Sequence, residues 1–275
     1  MKILCGIVTY NPNMERLKEN VDAVVKQVDQ LLIFDNNSSN ISELKKFVDS
    51  NNISLYSNQT NSGIAHALKY IMQYSIENKY DWVLSLDQDT VINNDLIENY
   101  KKYINVENVG AMTCNYKDRN TEELEFELSD TEAEIEGCIT SGFFLKVTAY
   151  QETQGYDEKM FIDGVDFDIC NALRRKKYKI IRIPFVGFLH ELGNSRIFQF
   201  GNKKIKVWNH SSFRKYYIFR NAIYVARKYP EYYSLHKEME FRIKDLLKII
   251  LFENNKIDKL NKSIKGMNDG FKMEI

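Results

Sequence analysis

Two aspartates separated by one residue, Asp87-Gln88-Asp89, close the apolar run Trp82-Val83-Leu84-Ser85-Leu86. A short apolar run with polar borders reads as a buried strand, and open α/β sheets bind their ligands at the carboxyl ends of strands. Two carboxylates at such an edge suit a hard divalent cation, Mg²⁺ or Mn²⁺. Such an ion keeps one or two carboxylates and takes its remaining ligands from water and substrate phosphates. The same residues also read as a polar turn before a helix over 96–104, opened by Asn93-Asn94-Asp95, so this spacing alone leaves both readings open.

A second acidic group, Asp163, Asp166 and Asp168, stands at the head of a predicted helix that runs to Arg174-Arg175. The helix dipole favours acidic residues there, and capping accounts for one of them. Three neighbouring carboxylates repel one another, which is easier to understand if a site uses at least one. Asp163 and Asp166, three apart, would share a helix face if both were helical. Thr140-Ser141-Gly142 precedes the apolar Phe143-Phe144-Leu145, where small residues let a substrate approach the backbone or simply make a tight turn. His190 lies in an apolar setting, in which a hydrogen-bonded structural histidine is the commoner use.

The elements that must position these residues alternate. Apolar runs at 3–8, 31–34, 53–56 and 82–86 are separated by helical periodicity at 14–28, 42–49 and 64–76, which predicts a parallel sheet with right-handed crossovers. Thr9, Asp35, Asn61 and Asp87 follow those strands and therefore share one edge. No G-x-G-x-x-G follows the first strand and no G-x-x-x-x-G-K-[ST] occurs, which argues against a dinucleotide enzyme or a P-loop NTPase. Asp35 can still hydrogen-bond a base or ribose, although an Asx-turn is an equal use of it. Further on, 109–114 reads as a strand and the alternation Glu123-Leu124-Glu125-Phe126-Glu127-Leu128 as an edge strand with one wet face. After Pro230, Leu235, Met239, Ile243, Leu246, Leu247 and Ile250 form a helical stripe among lysines.

The 275 residues suffice for one large α/β domain with a helical tail. Formal net charge is zero, which argues against general nucleic-acid binding, although residues 203–215 and the helices after them are basic. The four cysteines form no C-x-x-C pair and read as free thiols of a reducing cytoplasm. No secretory h-region follows Met1, and no apolar stretch is long enough to span a bilayer. The expected location is the cytoplasm, in solution or at the inner face of the cell membrane.

Val8-Thr9-Tyr10-Asn11-Pro12, Asp35-Asn36-Asn37-Ser38, Asn61-Ser62-Gly63-Ile64-Ala65, Asp87-Gln88-Asp89 and Phe161-Ile162-Asp163 through Asp166 follow in this order. Together they resemble family-two inverting glycosyltransferases of the GT-A fold, and in particular bacterial rhamnosyltransferases that build O-antigen, capsule or cell-wall polysaccharide. The likeness covers about residues 2–229 and extends to His190 and to His210, Arg214, Tyr216-Tyr217 and Arg220-Asn221.

The resemblance implies a mixed Rossmann-like sheet flanked by helices over 1–207, with a nucleotide-binding half at about 1–110 and an acceptor half at about 111–207. A helical extension would occupy 208–275. It further implies that Thr9, Asp35, Asn61 and Asp87 hold the nucleotide sugar, with Arg214 or Arg220 adding positive charge. Asp87, Asp89 and His190 would approach Mg²⁺ or Mn²⁺, Asp163 would orient the acceptor and Asp166 would be the general base, with Ser141 and Gly142 expected among the substrate-contacting residues. Many relatives carry Glu-Asp where this chain has Val165-Asp166, which bears on acceptor recognition.

The implied donor is dTDP-rhamnose, with UDP-galactose, UDP-galactofuranose and UDP-glucose as alternatives. The implied acceptor is a lipid-linked glycan. A sugar nucleotidyltransferase and a non-catalytic carbohydrate-binding protein are the rival classes. The carboxyl-terminal stripe leaves membrane contact, a homodimer or packing on the chain's own core as its uses.

Overall fold

The computed structural model describes residues 1–51, 53–119, 123–190, 196–200 and 203–275. The chain divides into two compact units, Met1–Lys159 with Asp166–Glu191 and Met160–Val165 with Leu192–Ile275.

In the first unit β1 (Ile3–Thr9), α1 (Met14–Val24), β2 (Gln30–Asp35), α2 (Ile41–Asn51), β3 (Ser54–Ser57), α3 (Gly63–Glu77) and β4 (Trp82–Asp87) alternate. There follow β5 (Val91–Ile92), α4 (Leu96–Lys101), β6 (Val109–Asp118), β7 (Ala133–Glu134), β8 (Phe143–Lys146), α5 (Val147–Gln151), α6 (Val165–Arg175) and β9 (Lys179–His190). The sheet order is β3-β2-β1-β4-β8-β6-β9-β5, with β7 on β9. The first four strands are parallel, because each is joined to the next through a helix. β8 is antiparallel to both β4 and β6, so the sheet is mixed, as expected.

β1 and β2 read as continuous apolar runs because nearly all their side chains are buried, Leu4, Ile7, Ile33 and Phe34 completely. Phe144 of β8 is sandwiched between Trp82 at 4.8 Å and Tyr100 at 5.1 Å, both rings stacked. Burying a side chain of that size is worth about 1.5–3 kcal/mol, and the stack fixes β8 beside β4. The helix α1 starts where Asn13 caps it, its side chain accepting from the Glu15 and Arg16 amides.

Register decides which residues meet. Thr9 stands opposite Asp35, Asp35 opposite Ser57, and Val8 opposite Asp87, so these strand ends form one edge. The antiparallel pairing of Ser85 with Phe143 carries Ser141-Gly142 to the end of β4. Val91 pairs with Leu189, which brings the turn after Asp89 alongside His190.

The expected edge strand at 123–128 does not form as a ladder. Lys117 and Leu124 make an isolated bridge, and the Asn115 side chain replaces the strand partner at Phe126, accepting from its N–H at 3.2 Å and donating to its carbonyl at 2.5 Å.

The described residues of the second unit form an antiparallel pair, β10 (Arg196–Phe200) and β11 (Lys203–Val207), and the helices α7 (Ser212–Lys228), α8 (Leu235–Phe252) and α9 (Lys256–Lys272). α9 lies directly on α7. A side chain at Gly266 would strike the Tyr216 carbonyl, so glycine is required there for the close approach. Glu253, which caps the end of α8, is buried between Lys215 of α7 at 2.6 Å and Lys259 of α9 at 2.8 Å. The stripe seen in the sequence is not buried as a unit: Leu235, Met239 and Leu246 are half-buried, while Ile243, Leu247 and Ile250 are exposed, as are Ile257, Ile264 and Phe271 of α9. Among the described residues no helix is long and apolar enough to cross a membrane.

Candidate active site

Asp87 closes β4 half-buried, and its backbone is held on two sides. Asn20 of α1 donates to its carbonyl at 2.7 Å, and its own N–H donates to the Ser141 hydroxyl at 3.1 Å. The Ser141 hydroxyl in turn donates to Asp87 Oδ2 at 2.6 Å. Thr90 Oγ1 lies 2.8 Å from Ser141 Oγ and 3.3 Å from Nδ1 of His190. The imidazole is wedged edge-on against Tyr116 at 5.8 Å and Phe188 at 6.4 Å. Asp87, Asp89 and His190 thus sit on one rim, Asp89 half-buried in the turn between β4 and β5. Gln88, between the two aspartates, accepts from the Tyr10 amide at 2.9 Å and ties this turn to the end of β1.

Ser141 and Gly142, expected to meet a substrate, are buried. Gly142 has φ of +73° and packs so closely on Phe188 that a side chain there would overlap the ring. Its carbonyl accepts from the Tyr100 hydroxyl at 2.6 Å. The pair supports Asp87 from beneath, which is a reason for small residues other than substrate access. Thr90 carries no motif of its own in the sequence. Its place directly after Asp-x-Asp was the one available signal.

At the neighbouring strand ends, Thr9 and Asp35 are fully buried and bonded to one another, the Thr9 hydroxyl donating to Asp35 Oδ1 at 3.0 Å. Asp35 also accepts from the Ser38 amide at 2.9 Å and the Ser38 hydroxyl at 2.5 Å, an Asx-type turn that shapes the loop after β2. Asn36 clamps that loop to the start of α3, accepting from the Ser62 N–H at 3.2 Å and donating to the Gly63 carbonyl at 3.0 Å. Asn61 is exposed, its side chain accepting from the Gly63 amide at 3.0 Å.

Asp163 and Asp166 do not share a helix face. α6 begins at Val165, whereas Asp163 precedes it with φ of +65°, between Phe161 at +61° and Gly164 at +81°. Non-glycine residues in this region cost energy and are found where surroundings enforce them. Here Asn221 enforces them, its amide donating to the Met160, Ile162 and Asp163 carbonyls at 2.9, 2.8 and 2.7 Å.

The Asp163 carboxylate is gripped by Arg214, Nη2 at 2.5 Å and Nε at 3.3 Å. Arg220 donates to the Met160 carbonyl at 2.9 Å and lies 4.6 Å over the Tyr217 ring. Asp166 occupies the first turn of α6, half-buried, while Asp168 is buried. Burial pushes the Tyr156 phenol well above its usual range, and Tyr150, Cys170 and Asp166 add to the rise, so Tyr156 stays neutral.

Among the described residues no group of three or more His, Cys, Asp or Glu side chains is placed to hold a metal ion. The expected trio of Asp87, Asp89 and His190 is therefore not gathered into a metal site. Carboxylate oxygen and imidazole nitrogen are nevertheless donor types that Mg²⁺ or Mn²⁺ accepts, such an ion drawing its remaining ligands from phosphate and water. All four cysteines are free, and burial pushes the Cys114 thiol up to about 12, which makes it unreactive.

Comparison with known proteins bears on this arrangement. The family model for glycosyl transferase family 2 matches residues 5–181. The dTDP-rhamnosyl transferase RfbF of Shigella flexneri is 28% identical over 289 residues, covering 98% of this chain and 95% of that protein. Among solved structures, S. aureus TarS 1-349 aligns over 100% of this chain and 73% of its own, with a TM-score of 0.58 at 11% identity. GalNAc-T7 with UDP, GalNAc and Mn²⁺ aligns over 82% of this chain and 48% of its own, with a TM-score of 0.62 at 12% identity. At such identities the likeness is one of fold, and the mixed sheet flanked by helices is the GT-A fold.

Proposed function

As this chain belongs to glycosyl transferase family 2, we propose that it transfers rhamnose from dTDP-rhamnose to a hydroxyl of a growing bacterial surface glycan, with inversion. The observation that carries the donor is the alignment, over nearly the full length of both chains, with a dTDP-rhamnosyl transferase. The rim formed by the ends of β1, β2 and β4 is where an α/β sheet accepts a nucleotide. Asn61 and Asp87 meet the nucleotide, while Thr9 and Asp35 hold the loop beneath it.

In a single displacement, Asp166 takes the proton from the acceptor hydroxyl as that oxygen bonds to the anomeric carbon. The bond from that carbon to the diphosphate oxygen breaks with its electron pair, and dTDP leaves. A carboxylate placed within about 3 Å of the hydroxyl serves as such a base at neutral pH. Asp163 is a weaker candidate because Arg214 already engages both its oxygens. Asp89, Asp87 and His190 would hold a Mg²⁺ or Mn²⁺ ion, which supplies positive charge against the charge that develops on the leaving diphosphate.

The acceptor is a lipid-linked glycan at the inner face of the membrane. The exposed Ile243, Leu247 and Ile250, bordered by Lys237, Lys244 and Lys248, suit a peripheral contact with an anionic bilayer surface. A homodimer is the second reading, favoured by the spacing of seven between the exposed Ile257, Ile264 and Phe271 of the following helix α9.

The test is a donor panel of dTDP-rhamnose, UDP-galactose, UDP-galactofuranose and UDP-glucose, measuring release of free nucleoside diphosphate with and without Mn²⁺. Release from dTDP-rhamnose above the others supports the reading. Binding without turnover would leave a carbohydrate-binding module instead.

A further inference from the structure

We propose that Ser141 and Thr90 are positioning residues that set the tautomer of His190, keeping the ring proton on Nδ1 and the lone pair on Nε2. The chain of contacts has one consistent direction. A carboxylate accepts only, so the 2.6 Å contact between Ser141 Oγ and Asp87 Oδ2 uses the single Ser141 proton. Ser141 Oγ also accepts from the Asp87 amide at 3.1 Å. Its contact with Thr90 at 2.8 Å must therefore be one in which Thr90 donates, and this fills the second Ser141 lone pair. Thr90 has then spent its own proton, and at its 3.3 Å contact with His190 it can only accept. The donor there is Nδ1–H. Ser141 and Thr90 are both fully buried, so neither has water to reverse the order.

The consequence deepens, and rests on, the reading of this rim as the donor site. A neutral imidazole with its proton on Nε2 donates to a phosphate oxygen, whereas one with its lone pair on Nε2 accepts a cation. The relay selects the second. It also couples the two sides of the rim, because the carboxylate of Asp87, 54 positions from Ser141, starts an order that ends at His190, 100 positions from Thr90. Ser141 thereby acquires a role despite being closed off from substrate.

The experiment is a two-bond ¹H–¹⁵N correlation on the full chain labelled with ¹⁵N-histidine, stripped of metal by a chelator, at a pH where the ring is neutral. His190 is assigned by the signal lost in His190→Gln. We expect Nδ1 to read as the protonated, pyrrole-type nitrogen and Nε2 as the pyridine-type one. Thr90→Val keeps the shape and removes the acceptor, and should move His190 to a mixture of tautomers, while Thr90→Ser restores the parent pattern. A protonated Nε2 in the parent protein overturns the proposal without recourse to any variant, as does a pattern unchanged in Thr90→Val. Adding Mn²⁺ with dTDP tests the underlying reading separately. His190 signals broadened by Mn²⁺ support a cation at the rim. Sharp signals with the expected tautomer would leave the relay standing and remove the cation.

Discussion

Glu253→Gln is the substitution whose cost can be worked most directly from the structure. The carboxylate is 3% exposed and accepts from Lys215 at 2.6 Å on one oxygen and from Lys259 at 2.8 Å on the other. Burial alone would raise its pKa, but the two ammonium groups outweigh burial and hold it below the usual carboxylate value. Lys259 finds one further partner in the Asn209 side chain at 2.6 Å. Glutamine keeps the shape and removes the charge, which leaves two buried ammonium groups facing a neutral amide. Breaking a buried ion pair by removing one partner costs about 3–5 kcal/mol, a large part of a total stability of about 5–15 kcal/mol. At about 2–4 °C per kcal/mol for a chain of this size, the melting temperature should fall by about 6–20 °C.

Thermal unfolding followed by circular dichroism reads this. Because the folded-state pKa is depressed, the contribution is present above the unfolded value and lost as pH falls through the folded one. The parent should therefore lose stability on acidification that Glu253→Gln has already lost. Replacing Lys215, Glu253 and Lys259 together by methionine should recover most of the loss, since an apolar replacement of a buried charge cluster is often neutral. A Glu253→Gln protein melting within about 1 kcal/mol of the parent would refute the reasoning, since it would mean that water reaches the cluster.

Asp166→Asn, nearly isosteric, should cut glycosyl transfer about a hundredfold or more with little change in donor affinity. Near-normal transfer alongside an inactive Asp163→Asn would move the base to Asp163. Asp89→Ala should abolish metal-dependent donor turnover with the circular dichroism spectrum unchanged, and unaltered metal dependence would count against Asp89 as a ligand. His210 is held neutral, its pKa lowered to about 4 mainly by burial and then by Arg214. It therefore destabilises the fold as pH drops from the unfolded value near 6.5 towards 4, and His210→Asn should flatten that limb of the melting curve. Liposomes of anionic lipid at low salt should sediment the parent protein and lose it when Leu247 and Ile250 become serine; no sedimentation of the parent would count against membrane contact and leave the homodimer reading.

Much of the architecture was legible because local periodicity encodes it. The apolar runs of β1, β2 and β4, the helical spacing between them and the polar residues that end each strand place Thr9, Asp35 and Asp87 on one edge without any coordinates. The acidic alternation at 123–128 misled, because alternation alone does not supply a strand partner, and the Asn115 side chain took that place at Phe126. Tertiary structure alone decided how the candidate site is supported. β8 runs antiparallel to β4, which puts Ser141 beneath Asp87, and β5 pairs with β9, which brings Thr90 to His190. It likewise decided that Asp163 lies outside the helix and in the grip of Arg214. These meetings depend on register between strands far apart in the chain and on the direction in which each shared proton points, neither of which leaves a trace in the spacing of nearby residues.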